Sequence, residues 1–135
     1  MKRITLIIAV FLLAACASTP SSSIEGDWKL VSYGEARYPT PALEDVDATI
    51  SFDSKGQMSG NVGCNGFGGK YEVKDGTLLM SEVMSTMMFC DATSQQEQGV
   101  LSVLSSQTGL EYELNGDTLK IKSVLDETAI TMTRK

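Results

Sequence analysis

A chain of 135 residues is long enough for one domain beside a targeting segment. Its 11 basic and 17 acidic residues give a net charge of −6, which argues against nucleic acid as a partner because phosphate contacts need clustered Lys and Arg. The chain has no histidine, which excludes Ser-His-Asp and Cys-His catalysis and imidazole metal sites. Hydrophobic residues make up 42% of the sequence, so a globular fold is expected.

The first 15 residues have the pattern of a secretory signal peptide. Lys2 and Arg3 form a basic start, and residues 4–13 form an almost wholly apolar run that is too short for a permanent membrane span. The run ends in Leu-Ala-Ala directly before Cys16, and this tetrapeptide resembles a bacterial lipobox. The resemblance implies cleavage before Cys16, a diacylglycerol on its sulfur and an acylated amino terminus. The alternative is an ordinary signal peptide cut after Ala-x-Ala, which would leave Cys16 as a free thiol.

Cleavage before Cys16 would leave a mature protein of residues 16–135 with a more negative charge. Residues 1–15 carry two cations and no acid, so their removal changes the net charge from −6 to −8 and leaves membrane attachment to the acyl chains. Residues 16–23 are small and polar and are predicted to be a flexible tether, and residues 24–135 form the domain. Ala17 after the lipidated cysteine resembles the enterobacterial rule for outer-membrane sorting. We therefore expect a lipid-anchored protein of the bacterial cell envelope, on the outer membrane and facing the periplasm.

The two remaining cysteines, Cys64 and Cys90, form an even pair in a compartment that favours disulfides. The chain-entropy model assigns a bridge between them about 3.5 kcal/mol of stabilisation. We expect a disulfide with the two Cα atoms within about 7 Å of each other. The alternative is a pair of reduced, buried thiols.

Alternation of apolar and polar residues predicts about seven short antiparallel strands. Two turns have strong signals, since Asp75-Gly76 and Asn115-Gly116 both tolerate the positive φ of a two-residue hairpin. Eight segments are candidates for these strands: residues 27–32, 49–53, 57–62, 70–74, 77–80, 110–114, 118–122 and 129–133.

One main helix is predicted at about residues 93–106. Thr93 with Gln96, or Ser94 with Glu97, has the spacing of a capping box at its start. An apolar face follows, and we expect it to pack over the open end or one face of the curved sheet. This face consists of Val100, Leu101 and Leu104.

Two motifs in the middle of the chain are specific enough to suggest a family. The first is a Gly-Cys-Asn-x-Phe-x-Gly-x-Tyr pattern, and the second is a Thr-x-Met-x-Cys pattern. They comprise Gly63, Cys64, Asn65, Phe67, Gly69 and Tyr71, followed by Thr86, Met88 and Cys90. Together they resemble the META domain, also called the heat-shock protein HslJ-like domain, over roughly residues 24–134. The helix pattern of the family is matched by Glu97 and Leu104, although Val100 replaces its usual aromatic residue.

The resemblance implies a fold rather than a reaction. The fold is α+β and mostly β: a strongly curved, partly barrel-like antiparallel sheet with one main helix. Members of the family are envelope proteins loosely associated with stress tolerance. The resemblance brings no catalytic, cofactor-binding or metal-binding residue, so we expect the motif residues to be structural.

The glycine-rich stretch at residues 60–69 resembles a phosphate-binding loop only superficially. A Walker A motif ending at Gly69 and Lys70 would need Gly at position 64 and Ser or Thr at position 71, where Cys and Tyr stand. We expect a tight corner between strands instead, with the Asn65 side chain bonded to local backbone.

Four methionines precede Cys90, at positions 80, 84, 87 and 88. Thioether and thiolate ligands suit Cu(I), but methionine also fills irregular cores, and a disulfide would remove Cys90 as a ligand. Core packing is therefore the expectation, and a copper site is the alternative.

These observations favour binding over catalysis. The leading hypothesis is a lipid-anchored META-domain protein that binds an unidentified envelope protein or lipid, without enzymatic activity or a cofactor, and contributes to stress tolerance. The alternative is a pilotin-like or carrier-like role, which needs an apolar cavity or an unpaired strand edge for an acyl chain or a segment of a partner. A hydrolase that uses Asp and Glu alone is a third hypothesis, but no pair of carboxylates stands out.

Overall fold

The computed structural model describes residues 23–135, which contain nine strands and one helix. The signal peptide predicted at residues 1–15 and the lipidation predicted at Cys16 lie outside the described residues, as does the tether up to residue 22. The elements in chain order are β1 (Gly26–Glu35), β2 (Thr40–Pro41), β3 (Thr49–Phe52), β4 (Gln57–Asn61), β5 (Gly66–Lys74), β6 (Thr77–Ser85), α1 (Ser94–Leu104), β7 (Leu110–Asn115), β8 (Thr118–Lys122) and β9 (Thr128–Arg134).

Eight of the strands form a closed antiparallel barrel. They follow one another in the order β1, β3, β4, β5, β6, β7, β8 and β9, and β9 pairs with β1 to complete the ring. β2 is an additional strand of two residues that pairs with β1, and it is too short for alternation to reveal it in the sequence. The predicted mostly β fold with one helix is thus confirmed, and the sheet is curved so strongly that it closes.

Both hairpin turns form where their dipeptides predicted them. Asp75 and Gly76 have positive φ, 51° and 75°, and join β5 to β6. Gly116 has a φ of 59° and joins β7 to β8. Positive φ at such turns matches the twist of the flanking strands, and glycine adopts it without a steric penalty.

Side chains from alternate strand positions fill the interior of the barrel. The largest fully buried apolar side chains are Trp28, Phe52, Ile50, Met58, Leu78, Leu104, Leu110, Leu119, Ile121, Ile130 and Met132. The indole Nε1 of Trp28 donates a hydrogen bond to the Ile24 carbonyl (2.8 Å), and the Arg134 guanidinium lies 4.3 Å from the centre of the Trp28 ring. A barrel of eight strands is narrow enough to be packed solidly in this way.

The two ends of the barrel carry different parts of the chain. At the first end lie residues 23–25, the β3–β4 turn and the two hairpin turns. At the second end lie the β4–β5 loop of residues 62–65 and the connection from β6 through α1 to β7. The start of the domain and the helix therefore lie at opposite ends of the barrel.

α1 has 11 residues and is shorter at both ends than predicted. Val100 and Leu104 of its predicted apolar face are fully buried in the core, Leu101 is partly buried, and Val103 completes the face. Neither predicted capping box forms, because the Thr93 hydroxyl donates to the Glu97 carboxylate and the Ser94 hydroxyl donates to the Asp91 carbonyl. Among the described residues, no helix has the length and apolar character needed to cross a membrane.

The junction between β6 and β7 is the shortest in the ring. β6 pairs with β7 through two residues only, Thr77 and Leu78. Within the part of the chain that the structure describes, residues 79–85 of β6 therefore have a partner strand on one side, β5. A bulge interrupts that pairing, with Glu82 at a φ of 54° and in an ion pair with Lys70 (2.8 Å). This stretch of β6 is an open edge in an otherwise closed barrel.

Candidate functional site

The two sequence motifs meet at the second end of the barrel. Cys64 lies in the loop of residues 62–65, and Cys90 lies in the segment of residues 86–93 between β6 and α1. A disulfide joins them, with Cα atoms 6.4 Å apart, which confirms the predicted bridge. The bridge holds the segment that leads into α1 against the β4–β5 loop.

Asn65 connects the loop to the same segment through its side-chain amide. The Nδ2 atom donates to the Met88 carbonyl (2.9 Å) and to Oε2 of Glu97 (2.6 Å). The Oδ1 atom accepts from the Met88 N–H and from the Thr86 hydroxyl, both at 2.8 Å. The predicted bonding to local backbone is therefore wrong, since these partners lie 21 to 32 residues further along the chain. Because an amide has both donors and an acceptor, it pairs with both backbone groups of Met88 as a neighbouring strand would.

Glu97 is the buried charge of the site, with 6% of its surface exposed. Its carboxylate accepts hydrogen bonds from the Cys64 N–H (2.6 Å), the Asn65 amide and the Thr93 hydroxyl (2.7 Å). Burial raises the pKa of Glu97, but the hydrogen bonds from Asn65, Thr93 and the backbone outweigh burial and hold the pKa below its ordinary value of 4.5. The ionised carboxylate thus joins the helix to the loop and to the residue before the helix.

Gly63 makes room for this carboxylate. A Cβ at position 63 would collide with the Glu97 side chain. The φ of Gly63 is not positive, so the close approach of Glu97, rather than an unusual backbone conformation, accounts for glycine here. In the Gly-Cys-Asn run, Gly63 therefore leaves space for the Glu97 carboxylate, Cys64 forms the disulfide and Asn65 supplies the hydrogen-bonding amide.

Gln96 also turns inward, and its side chain is fully buried. Its Nε2 donates to the Val62 carbonyl (2.5 Å), and its Oε1 accepts from the Leu43 N–H (2.8 Å). Sequence reasoning assigned Gln96 and Glu97 to capping boxes and missed this role. One signal was present, because Gln96 precedes Val100 by four residues and so shares the buried face of the helix.

The other half of the first motif supports the barrel. Phe67 is buried among the interior side chains. Gly69 lies at the β5–β6 bulge, where a Cβ would come within 3.1 Å of the Ser81 carbonyl. The Tyr71 hydroxyl donates to the Asp53 carbonyl (2.5 Å) and links β5 to the β3–β4 turn. The contacts of these three motif residues lie within the barrel and its turns, and none of them bonds to Asn65 or Glu97.

Residues 84–89, which we call the methionine segment, display large apolar side chains to solvent. The exposed fractions are 75% for Met84, 95% for Met87, 58% for Met88 and 88% for Phe89. The expectation of core packing is wrong for these three methionines, while Met80 is partly buried against the core. Met84 is held opposite Gly68 by the pairing of β6 with β5, and Asn65 binds the backbone of Met88, so neither backbone position brings its side chain into the core.

Two depressions flank the methionine segment. A groove of 720 Å³ runs over the backbone of Gly66 and Gly68 and is bounded by Met84 and Thr86. A smaller pocket of 210 Å³ lies between Phe89 and the side of α1. Cys90 is in the disulfide, so a copper site here would have no thiolate ligand. Residues 23–135 contain no group of three or more Cys, Asp or Glu side chains that could hold a metal ion.

The lowered pKa of Glu97 makes stability depend on pH. Above the ordinary pKa of 4.5 the carboxylate is ionised in both the folded and the unfolded chain, and its hydrogen bonds contribute fully. As the pH falls, the unfolded chain takes up the proton first, so the contribution is lost until the pH passes the lowered folded pKa. We expect the urea midpoint to fall as the pH drops below 4.5, and to fall less in Glu97→Gln. Equal falls in the two proteins would contradict the assignment.

Several solved structures are similar to this fold. The NMR structure of a protein from Burkholderia xenovorans is 20% identical, with a TM-score of 0.67 over 98% of this chain and 99% of that chain. Another NMR structure is 21% identical, with a TM-score of 0.63 over 85% of this chain and 93% of that one. The crystal structure of a DUF4847 family protein from Bacteroides vulgatus is 14% identical, with a TM-score of 0.57 over 82% of this chain and 93% of that one. At these identities the likeness shows the fold alone.

Sequence comparison gives the family directly. No curated protein matches the chain. The META domain model matches residues 22–135, which include both motifs and every strand of the barrel. The chain therefore belongs to the META domain family.

Proposed function

We propose that this META-domain protein is a lipid-anchored component of the bacterial envelope that binds a protein partner through the methionine segment and catalyses no reaction. The observation that carries the proposal is the exposure of Met84, Met87 and Phe89 on one segment whose backbone is held by strand pairing at Met84 and by Asn65 at Met88. Large apolar side chains exposed close together along one segment are typical of interaction surfaces, and methionine adapts its shape to different partners.

Rigid support is what separates this segment from a loop that is merely exposed. The backbone of Met88 is bonded at both its N–H and its carbonyl, Thr86 N–H donates to the Gly66 carbonyl (3.0 Å), and Cys90 is in the disulfide. A surface that is ordered before binding loses less conformational entropy when a partner docks. We infer that the motif residues Asn65, Thr86 and Cys90 order this surface for binding as well as stabilise the fold.

The carboxylates near the site favour binding over hydrolysis. Glu97 is committed to hydrogen bonds with Cys64, Asn65 and Thr93, and Glu82 is paired with Lys70. Neither is one of two facing carboxyl groups of the kind that acid–base hydrolysis needs. The absence of histidine from the chain points the same way.

The proposed anchor and the proposed binding surface fit one orientation. Residues 23–25 lie at the first end of the barrel, and the methionine segment lies at the second. A lipid on Cys16 would be joined to residue 23 by seven residues, which span at most about 25 Å. The membrane would then hold the first end and leave Met87 and Phe89 accessible to periplasmic partners. From the family resemblance we also propose a role in stress tolerance, exerted through partner binding at the methionine segment.

A pilotin-like role remains as the second candidate, because residues 79–85 of β6 form an open strand edge beside the methionine segment. An extended segment of a partner could add to such an edge through backbone hydrogen bonds. The bulge at Glu82 limits the length of strand that can be added. Carriage of an acyl chain is less favoured, because side chains fill the barrel interior.

Site-specific photocrosslinking in intact cells tests these proposals. The photoreactive analogue p-benzoylphenylalanine replaces Phe89 in one strain, the exposed Ser81 of the β6 edge in a second and, as control, Val73 at the first end of the barrel in a third. A discrete protein adduct at Phe89 and none at Val73 supports the proposed surface. An adduct at Ser81 without one at Phe89 favours strand addition. Equal labelling at all three positions, or adducts at none, contradicts protein binding by this end of the barrel.

The anchor needs its own experiment. We expect wild-type protein to incorporate radioactive palmitate and to sediment with membranes, and Cys16→Ser to do neither. A Cys16→Ser protein that is still labelled and still sediments would show that the lipobox interpretation is wrong.

A further inference from the structure

The sulfur atoms of the described chain fall into two classes. In the first class, Met58 and Met132 are buried in the barrel, Met80 is partly buried against the core, and Cys64 and Cys90 are joined in the disulfide. The exposed sulfur atoms are thioethers gathered in the methionine segment, at Met84, Met87 and Met88. Oxidant-reactive groups are thus concentrated on the surface proposed to bind a partner.

We propose that Met84, Met87 and Met88 form a site of reversible methionine oxidation, with peroxides as the class of oxidant. The thioether sulfur attacks one oxygen of hydrogen peroxide, a sulfur–oxygen bond forms and the oxygen–oxygen bond breaks. Sulfur loses two electrons to become the sulfoxide, and the departing hydroxide takes the proton of the transferred hydroxyl and leaves as water. Methionine sulfoxide reductases, which draw on dithiols, reverse the change.

The structure separates the effect of oxidation on the surface from its effect on the fold. A sulfoxide replaces an apolar group by a polar one, which disrupts packing when the methionine is in a core. The three exposed side chains have no place in the core, and the bonds that hold the segment come from backbone groups of Thr86 and Met88. Oxidation here changes the polarity of the surface and leaves the barrel intact. Its consequence for partner binding rests on the function proposed above, but the oxidation itself does not.

The first experiment treats the intact, membrane-extracted protein with hydrogen peroxide and follows each methionine by peptide mass mapping. We expect Met84, Met87 and Met88 to oxidise at least about tenfold faster than Met58 and Met132, which serve as internal controls. The near-UV circular dichroism should stay unchanged, retention on a phenyl matrix should fall, and sulfoxide reductase should restore it. Similar rates at exposed and buried methionines, loss of the near-UV signal, or no reversal by reductase would overturn the proposal.

The second experiment measures the consequence for binding. Peroxide treatment should reduce the photocrosslinked adduct at Phe89, and this reduction should disappear in the variant M84L/M87L/M88L, which lacks the oxidisable sulfurs. An adduct that peroxide does not change would overturn the link between oxidation and binding. Selective oxidation of a protein that forms no Phe89 adduct at all would count against the proposed function and leave the oxidation site standing.

Discussion

Replacing Glu97 with alanine should lower the free energy of unfolding by about 3–5 kcal/mol, because a buried hydrogen-bonding group that loses its partner costs about 1–3 kcal/mol and several lose theirs at once. The Cys64 N–H, the Asn65 Nδ2 group and the Thr93 hydroxyl all donate to this carboxylate. Without it, the start of α1 would be held to the β4–β5 loop by Gln96 and the disulfide alone.

Urea unfolding at pH 7 measures this effect. Glu44→Ala is the matched control, since Glu44 is an exposed loop residue whose replacement should cost no more than about 0.5 kcal/mol. Glu97→Gln keeps the size of the side chain and one acceptor oxygen, but its new N–H₂ group would face donors, so we expect a loss between those of the other two variants. A Glu97→Ala protein as stable as Glu44→Ala would show that the carboxylate does not organise the site.

Loss of the disulfide is expected to have the second large effect, a decrease of about 2–4 kcal/mol in the free energy of unfolding for the double variant Cys64→Ala, Cys90→Ala. The two residues are 26 positions apart, so the bridge restricts a sizeable loop in the unfolded chain. In the folded chain the Cys90 carbonyl accepts from the N–H groups of Thr93 (3.1 Å) and Ser94 (3.0 Å), so the bridge also positions the first turn of α1.

The same quantity can be measured on the natural sequence. Unfolding of wild-type protein with and without a reducing agent should differ by a similar amount, and the far-UV circular dichroism of the folded protein should not change. Free-thiol titration of the oxidised mature domain should find neither Cys64 nor Cys90 reactive. Two reactive thiols, or equal stability with and without the reducing agent, would contradict the role of the bridge.

Local sequence signals were sufficient for the parts of the fold that depend on a few neighbouring residues. Asp75-Gly76 predicted its hairpin because the conformations that these two residues tolerate are the ones the turn requires. The Cys64–Cys90 bridge was accessible from cysteine parity and compartment. The closure of the barrel was harder to predict, because the pairing of β1 with β9 joins strands from the two ends of the domain.

The candidate site depends on contacts that local patterns do not contain. Asn65 in a glycine-rich corner has the same local pattern whether its amide bonds its own turn or a segment 23 residues away. A glutamate in the first turn of a helix is typical of a capping box. The same position is also compatible with what Glu97 does here, where its buried carboxylate accepts a hydrogen bond from the Cys64 N–H of another loop. Hydropathy predicted Met87 in the core because it depends on the chemistry of a side chain and not on whether the backbone directs that side chain inward or outward.

The measurement that tests the central claim most directly is amide hydrogen exchange at Met88, followed by NMR or by mass spectrometry with residue resolution. The claim is that Asn65 holds the backbone of a segment whose side chains are exposed. We expect the Met88 amide to exchange at least about tenfold more slowly than the Met87 amide in the wild-type protein, and this protection to be lost in Asn65→Ala. Exchange of Met88 as fast as that of Met87 in the wild-type protein, or protection that survives in Asn65→Ala, would contradict it.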